Sequence, residues 1–170
     1  MEERIEIPES VKLSLEGKVV KIEGPRGSLV KTFDFPGVSL GVEGRSIIIR
    51  SATSRRKEKA MIGTIRAHLR NAFKGVTQGW TQRLKIVYSH FPIEVKVENG
   101  TILIKNFLGE KSPRVAKILG NTQVRVEGDE VIVEGVDKYE VGQTAWNLEK
   151  ATRIKRKDPR VFQDGIYRIT

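Results

Sequence analysis

Residues 11–22 read VKLSLEGKVVKI, and residues 93–104 read IEVKVENGTILI. In both, apolar and polar residues alternate, break at a turn (Glu16-Gly17 or Asn99-Gly100) and alternate again. Alternation marks a half-buried strand, and Asn-Gly is the strongest short hairpin signal because both positions tolerate positive φ. Each stretch is therefore read as a hairpin. An offset of 82 positions (93 − 11) superimposes Val11 on Ile93, Val20 on Ile102, Ile22 on Ile104 and Gly27 on Gly109. From Leu40 the offset becomes 84 (124 − 40), and Val42-Glu43-Gly44 falls on Val126-Glu127-Gly128. Ile47-Ile48-Ile49 then falls on Val131-Ile132-Val133. Two copies of one unit account for this.

Working outward, Gly24-Pro25-Arg26-Gly27 reads as a tight turn before a strand at Ser28 to Phe33. Pro25 lacks an amide donor and no Lys-Ser or Lys-Thr follows, so the motif does not read as a phosphate cradle. A second hairpin is expected from Leu40–Val42 with Ile47–Ile49, and its counterpart from Val124–Val126 with Val131–Val133. A helix closes each copy. In the first, Ile62, Ile65, Leu69, Ala72 and Val76 recur at three- and four-residue spacing and make one apolar face. In the second, about residues 138–152, Val141, Ala145, Leu148 and Thr152 do the same, with Asp137 as N-cap. The join, Gly79 to Tyr88, reads as a strand rather than a flexible linker. The expected fold class is α+β: two tandem duplicated units, each an antiparallel sheet packed against one helix, spanning residues 1–82 and 83–170.

Net charge is +10, from 31 Lys and Arg against 21 Asp and Glu. Arg50 to Lys85 holds ten cations and one acid, Glu58, and Lys150 to Thr170 holds seven cations and two acids. Clustering of this kind points to a polyanion, with nucleic acid ahead of an anionic membrane surface. No apolar run approaches the roughly 20 residues that span a bilayer. The opening MEERIEIPES lacks the basic-then-apolar pattern of a signal peptide. Cysteine is absent, which excludes disulfides and thiolate metal sites and fits a reducing cytosol. In that setting Asn99-Gly100-Thr101 is a turn rather than a glycosylation acceptor.

The tail KATRIKRKDPRVFQDGIYRIT, from Lys150 to Thr170, mixes cations with Ile154, Val161, Phe162, Ile166 and Tyr167. A disordered basic tail carries few such residues, so this one is expected to be pinned to the folded body with its cations outward. On the second helix, Gln143, Trp146, Lys150 and Arg153 share a side, which suits either RNA or packing of Trp146 beneath the returning tail. On the first helix, at about 100° per residue, Arg55, Lys59, Arg66, Arg70 and Lys74 gather beside the apolar face. The near-absence of acids there speaks for a second basic surface, contacting RNA or protein, over an ordinary solvated face.

Catalysis is not expected. His68 and His90 lack a neighbouring carboxylate or a second ligand at metal-binding spacing. Glu127, Asp129 and Glu130 sit at a hairpin tip, where a turn accounts for them. No cofactor, metal or small-molecule substrate is implied.

Four segments carry a family resemblance: Gly24-Pro25-Arg26-Gly27, Tyr88-Ser89-His90-Phe91-Pro92, the run from Asp137 to Ala145 (DKYEVGQTA), and that from Arg160 to Tyr167 (RVFQDGIY). In this order and spacing the chain resembles, over essentially its whole length, the sixth large-subunit ribosomal protein family in its archaeal and eukaryotic branch. The resemblance implies two tandem α+β units and a non-catalytic role in the cytoplasmic ribosome. It also implies binding to large-subunit ribosomal RNA near the factor-binding centre, beside the sarcin-ricin loop and stalk base, with neighbouring ribosomal proteins as further partners. By the same resemblance the second unit and tail make the main RNA contacts. These fall on Lys150, Arg153, Lys155, Arg156, Lys157 and Arg160, with Gln143, Trp146, Arg168, Lys111 and Arg114 on the same expected surface.

Overall fold

A computed structural model describes residues 1–169; Thr170, the last residue of the tail and of the second expected unit, lies outside the described residues. The chain divides between Gly79 and Trp80, three residues ahead of the expected boundary at 82/83. The reason lies in pairing. Trp80, Thr81 and Gln82 already belong to a strand of the second unit, where they face Gly135, Glu134 and Val133.

In the first unit six strands precede one helix: β1 (Glu2–Glu6), β2 (Lys12–Glu16), β3 (Val19–Gly24), β4 (Gly27–Thr32), β5 (Val38–Glu43), β6 (Ser46–Ser51) and α1 (Arg56–Thr77). They form two antiparallel sheets, β2-β3-β4 and β1-β6-β5, where one sheet had been expected. Period-2 alternation sends Val20 and Ile22 of β3, and Ile47 and Ile49 of β6, into one core with Ile62, Ile65, Leu69, Ala72 and Val76 of α1. All nine are buried, including every residue of the expected helical face.

The Gly24–Gly27 turn has a specific job. The Arg26 N–H donates to the Val76 carbonyl at 2.8 Å, giving a partner to one of the last carbonyls of α1. A Cβ on Gly24 would lie 2.6 Å from that same oxygen, so only glycine lets the turn come this close.

The second unit repeats the plan with β7 (Trp80–Val87), β8 (Glu94–Glu98), β9 (Thr101–Lys105), β10 (Arg114–Lys117), β11 (Gln123–Glu127), β12 (Glu130–Gly135) and α2 (Lys138–Ala151). The β8–β9 turn has Asn99 and Gly100 at φ 45° and 75°, as the Asn-Gly signal requires. The expected pairing of Val124 with Val133 and Val126 with Val131 is present. One sheet is β8-β9-β10, the counterpart of β2-β3-β4. The other is β11-β12-β7-β13, in which β7 answers to β1 and β13 (Gly165–Ile169) has no counterpart in the first unit. The tail thus returns as a strand on the outer side of β7. Asp137 caps α2, its carboxylate accepting the Tyr139 N–H at 3.0 Å.

Candidate nucleic-acid interface

The tail is held at both ends. After α2, Thr152 is buried, Ile154 packs against the core, and the chain rejoins the fold at Asp164, Gly165 and Ile166, all buried. Of the five apolar tail residues, Ile154 and Ile166 anchor it. Val161 is 70% exposed, and Phe162 and Tyr167 keep partly open rings. Between Thr152 and Ile166, Arg153, Lys155, Arg156, Lys157 and Arg160 are exposed.

Their electrostatic states differ. Arg160 is paired with Asp158 at 3.2 Å, and its hydrogen bonds hold that carboxyl below the usual carboxylate range. Lys157 lies 4.8 Å from the centre of the Phe162 ring, and Lys150 lies 5.0 Å from that of Trp146. Arg153, Lys155 and Arg156 have no side-chain ion pair among the described residues. Arg168 is committed to Glu149, with both its backbone N–H (2.9 Å) and its Nε (3.0 Å) donating to one carboxylate oxygen.

Arg114 turns out to be a clamp. It donates to both oxygens of Glu110 (2.7 and 3.0 Å) and to the carbonyls of Ala151 (2.8 Å) and Arg153 (3.1 Å), and it stacks 4.4 Å over Phe107. One of those bonds gives the Ala151 carbonyl at the end of α2 a partner, and another holds Arg153, the first residue past the cap. The Arg114 hydrogen bond also lowers the Glu110 pKa from its ordinary value. Gln143 is likewise tied inward: its amide donates to Asn147 Oδ1 at 3.1 Å, and Asn147 donates to the Lys117 carbonyl at 3.1 Å. Lys111 is exposed in the loop before β10.

These pieces meet in a groove of about 450 Å³ between β10 and the end of α2, lined by Arg114, Val115, Ala116, Lys117, Asn147, Lys150, Ala151, Arg153 and Lys155. Five lining residues are cationic and none is acidic. Of these, Lys117 is the one the sequence reading missed. No sequence pattern marks it, since residues three apart on a strand face opposite sides; Lys117 joins the groove only because β10 lies against α2.

On α1, Lys59, Arg70 and Lys74 are exposed along the helix, and Arg55 occupies the N-cap position. Arg66 is drawn back to Glu3 at 3.3 Å. Among the described residues no group of His, Asp or Glu could hold a metal ion, and no helix is long and apolar enough to cross a membrane. Of the acids at the β11–β12 tip, Glu127 pairs with Arg125 at 3.1 Å and Glu130 with Arg83 at 3.6 Å.

Residues 7–79 and 91–165 each match the family described as Ribosomal protein L6, which places the duplication in the family pattern itself. The chain belongs to that family. It is 51% identical over 163 residues to the large ribosomal subunit protein uL6 of Methanosarcina mazei, covering 96% of this chain and 93% of the relative. It is 47% identical over 168 residues to the uL6 of Methanobrevibacter smithii, covering 99% and 94%. With the uL6 of Archaeoglobus fulgidus it shares 47% identity over 172 residues, covering 98% and 88%. As a member of the L6 family the chain is a structural component of the large ribosomal subunit, working in the cytoplasmic ribosome and not as an enzyme. Membership implies ribosomal RNA and ribosomal proteins as partners.

Proposed function

We propose that the second unit docks on large-subunit ribosomal RNA near the factor-binding centre, beside the sarcin-ricin loop and stalk base, and that the α2 end and tail make the docking contacts. The observation that carries this reading is the acid-free groove in which Lys117, Lys150, Arg153 and Lys155 converge. Of the tail's other cations, Arg156 and Lys157 lie beyond it, while Arg160 and Arg168 are paired with Asp158 and Glu149. These cations grip phosphates, and the doubly anchored tail sets their spacing before binding. Recognition is of shape, because the A-form major groove hides base edges from side chains. Arg114, Arg168 and Gln143 contribute by holding the frame. The α1 stripe of Arg55, Lys59, Arg70 and Lys74 serves as a second basic surface, toward RNA or a neighbouring ribosomal protein.

The test is binding of an RNA fragment containing the sarcin-ricin loop by the wild type and by a variant with Arg153, Lys155, Arg156 and Lys157 changed to alanine. The variant should bind weakly, with its salt slope reduced by about one unit per lost phosphate contact. Unchanged affinity would remove the tail from the interface. Equal affinity for a DNA duplex of the same length would remove the preference for RNA.

A further inference from the structure

A second cleft, of about 340 Å³, opens where α2 ends and the tail turns back, and its chemistry differs from that of the phosphate groove. Its walls carry three aromatic rings, Trp146, Phe162 and Tyr167, which are 39%, 37% and 47% exposed. Rings of this size at the joint of a helix and a strand would ordinarily be covered by the core. Here each keeps an open surface. The Tyr167 hydroxyl donates to the Gln163 carbonyl at 3.0 Å, which locks that ring in place. Burial raises the phenol pKa, and the Asp164 charge adds to the effect. The ammonium groups of Lys150 and Lys157 lie against Trp146 and Phe162. The Gln163 side-chain amide, also on the wall, has no partner among the described residues and offers both a donor and an acceptor. The one acid on the rim, Glu149, is already neutralised by Arg168, so Lys150 and Arg153 set the sign of the cleft.

We infer that this cleft receives a single unstacked nucleobase from a bulge or loop of the bound RNA. The base lies against the Trp146 or Phe162 ring, its edge meets Gln163, and its flanking phosphates fall to Lys150 and Arg153. Every base has a π-face, so stacking tolerates any sequence, and it outweighs the exposed lysine–ring contact that it displaces. The inference rests on the proposed RNA-docking role and deepens it, adding to a backbone grip a place where one extruded base is read.

The experiment uses the full chain and one RNA hairpin with a single-nucleotide bulge, prepared with a base or with an abasic sugar at the bulge. The wild type should bind the base-bearing hairpin about tenfold more tightly than the abasic one. Trp146→Ala should bring that ratio close to one while leaving the salt slope unchanged, and Phe162→Ala should lower it. Trp146→Phe, which keeps a ring, should restore most of the preference. Two outcomes overturn the inference alone: a wild-type ratio of one despite steep salt-dependent binding, or a ratio that survives both alanine substitutions. Failure of either hairpin to bind with any salt dependence would instead overturn the docking role, and the cleft assignment with it.

Discussion

The Thr152 hydroxyl accepts the backbone N–H of Ile166 at 3.1 Å, and this buried bond ties the end of α2 to the start of β13. The same hydroxyl lies 3.3 Å from the Leu148 carbonyl. Everything cationic between the two residues is thereby confined to a loop closed at both ends, so less conformational entropy remains to be lost when RNA binds.

Thr152→Val keeps the shape but leaves the Ile166 N–H buried without a partner, which costs about 1–3 kcal/mol. Urea unfolding should report the loss as a lower midpoint. RNA affinity should fall with it, because the tail is loosened at one anchor, whereas Thr152→Ser should retain much of both.

The Glu110–Arg114 pair gives a pH signature. The folded-state pKa of Glu110 is lowered, chiefly by the Arg114 hydrogen bond. Its contribution to stability is therefore fully present above the usual carboxylate pKa and is lost as pH falls through the depressed folded value. Glu110→Gln should be less stable than the wild type near pH 7, and the gap should close as pH falls below the usual carboxylate range. Urea midpoints measured along that series check it. A gap that widens in acid would mean that the carboxylate does not support the clamp.

Gly24→Ala should destabilise the first unit by about 1–3 kcal/mol, since the new methyl would press on the Val76 carbonyl and side chain. Hydrogen exchange should show the loss in β3, β4 and α1. Affinity for RNA through the second-unit tail should barely change, which separates folding defects in one unit from binding defects in the other.

Much of this arrangement was legible before any coordinates. Alternation in residues 11–22 and 93–104, the Asn-Gly turn and the apolar spacing of Ile62, Ile65, Leu69 and Val76 report local burial, which sequence encodes directly. What escaped was non-local. β1 lies in an acidic stretch of five residues whose strand identity comes from pairing with β6. The division of strands into two sheets per unit depends on partners far along the chain. The charge of Arg114 was visible, but its use was not. Glu110 is near in sequence, while the Ala151 and Arg153 carbonyls come to it only through packing of β10 on α2. Trp146 also resisted: it lines the cleft under the returning tail, as the packing reading has it, yet it still exposes part of its ring.

The salt dependence of RNA binding tests the central claim most directly, namely that cations fixed by the α2–tail frame grip a phosphate backbone. About six phosphate contacts should cost the wild type roughly a thousandfold in affinity for a fragment bearing the sarcin-ricin loop between 50 and 200 mM salt. An affinity that stays flat across that range would contradict it.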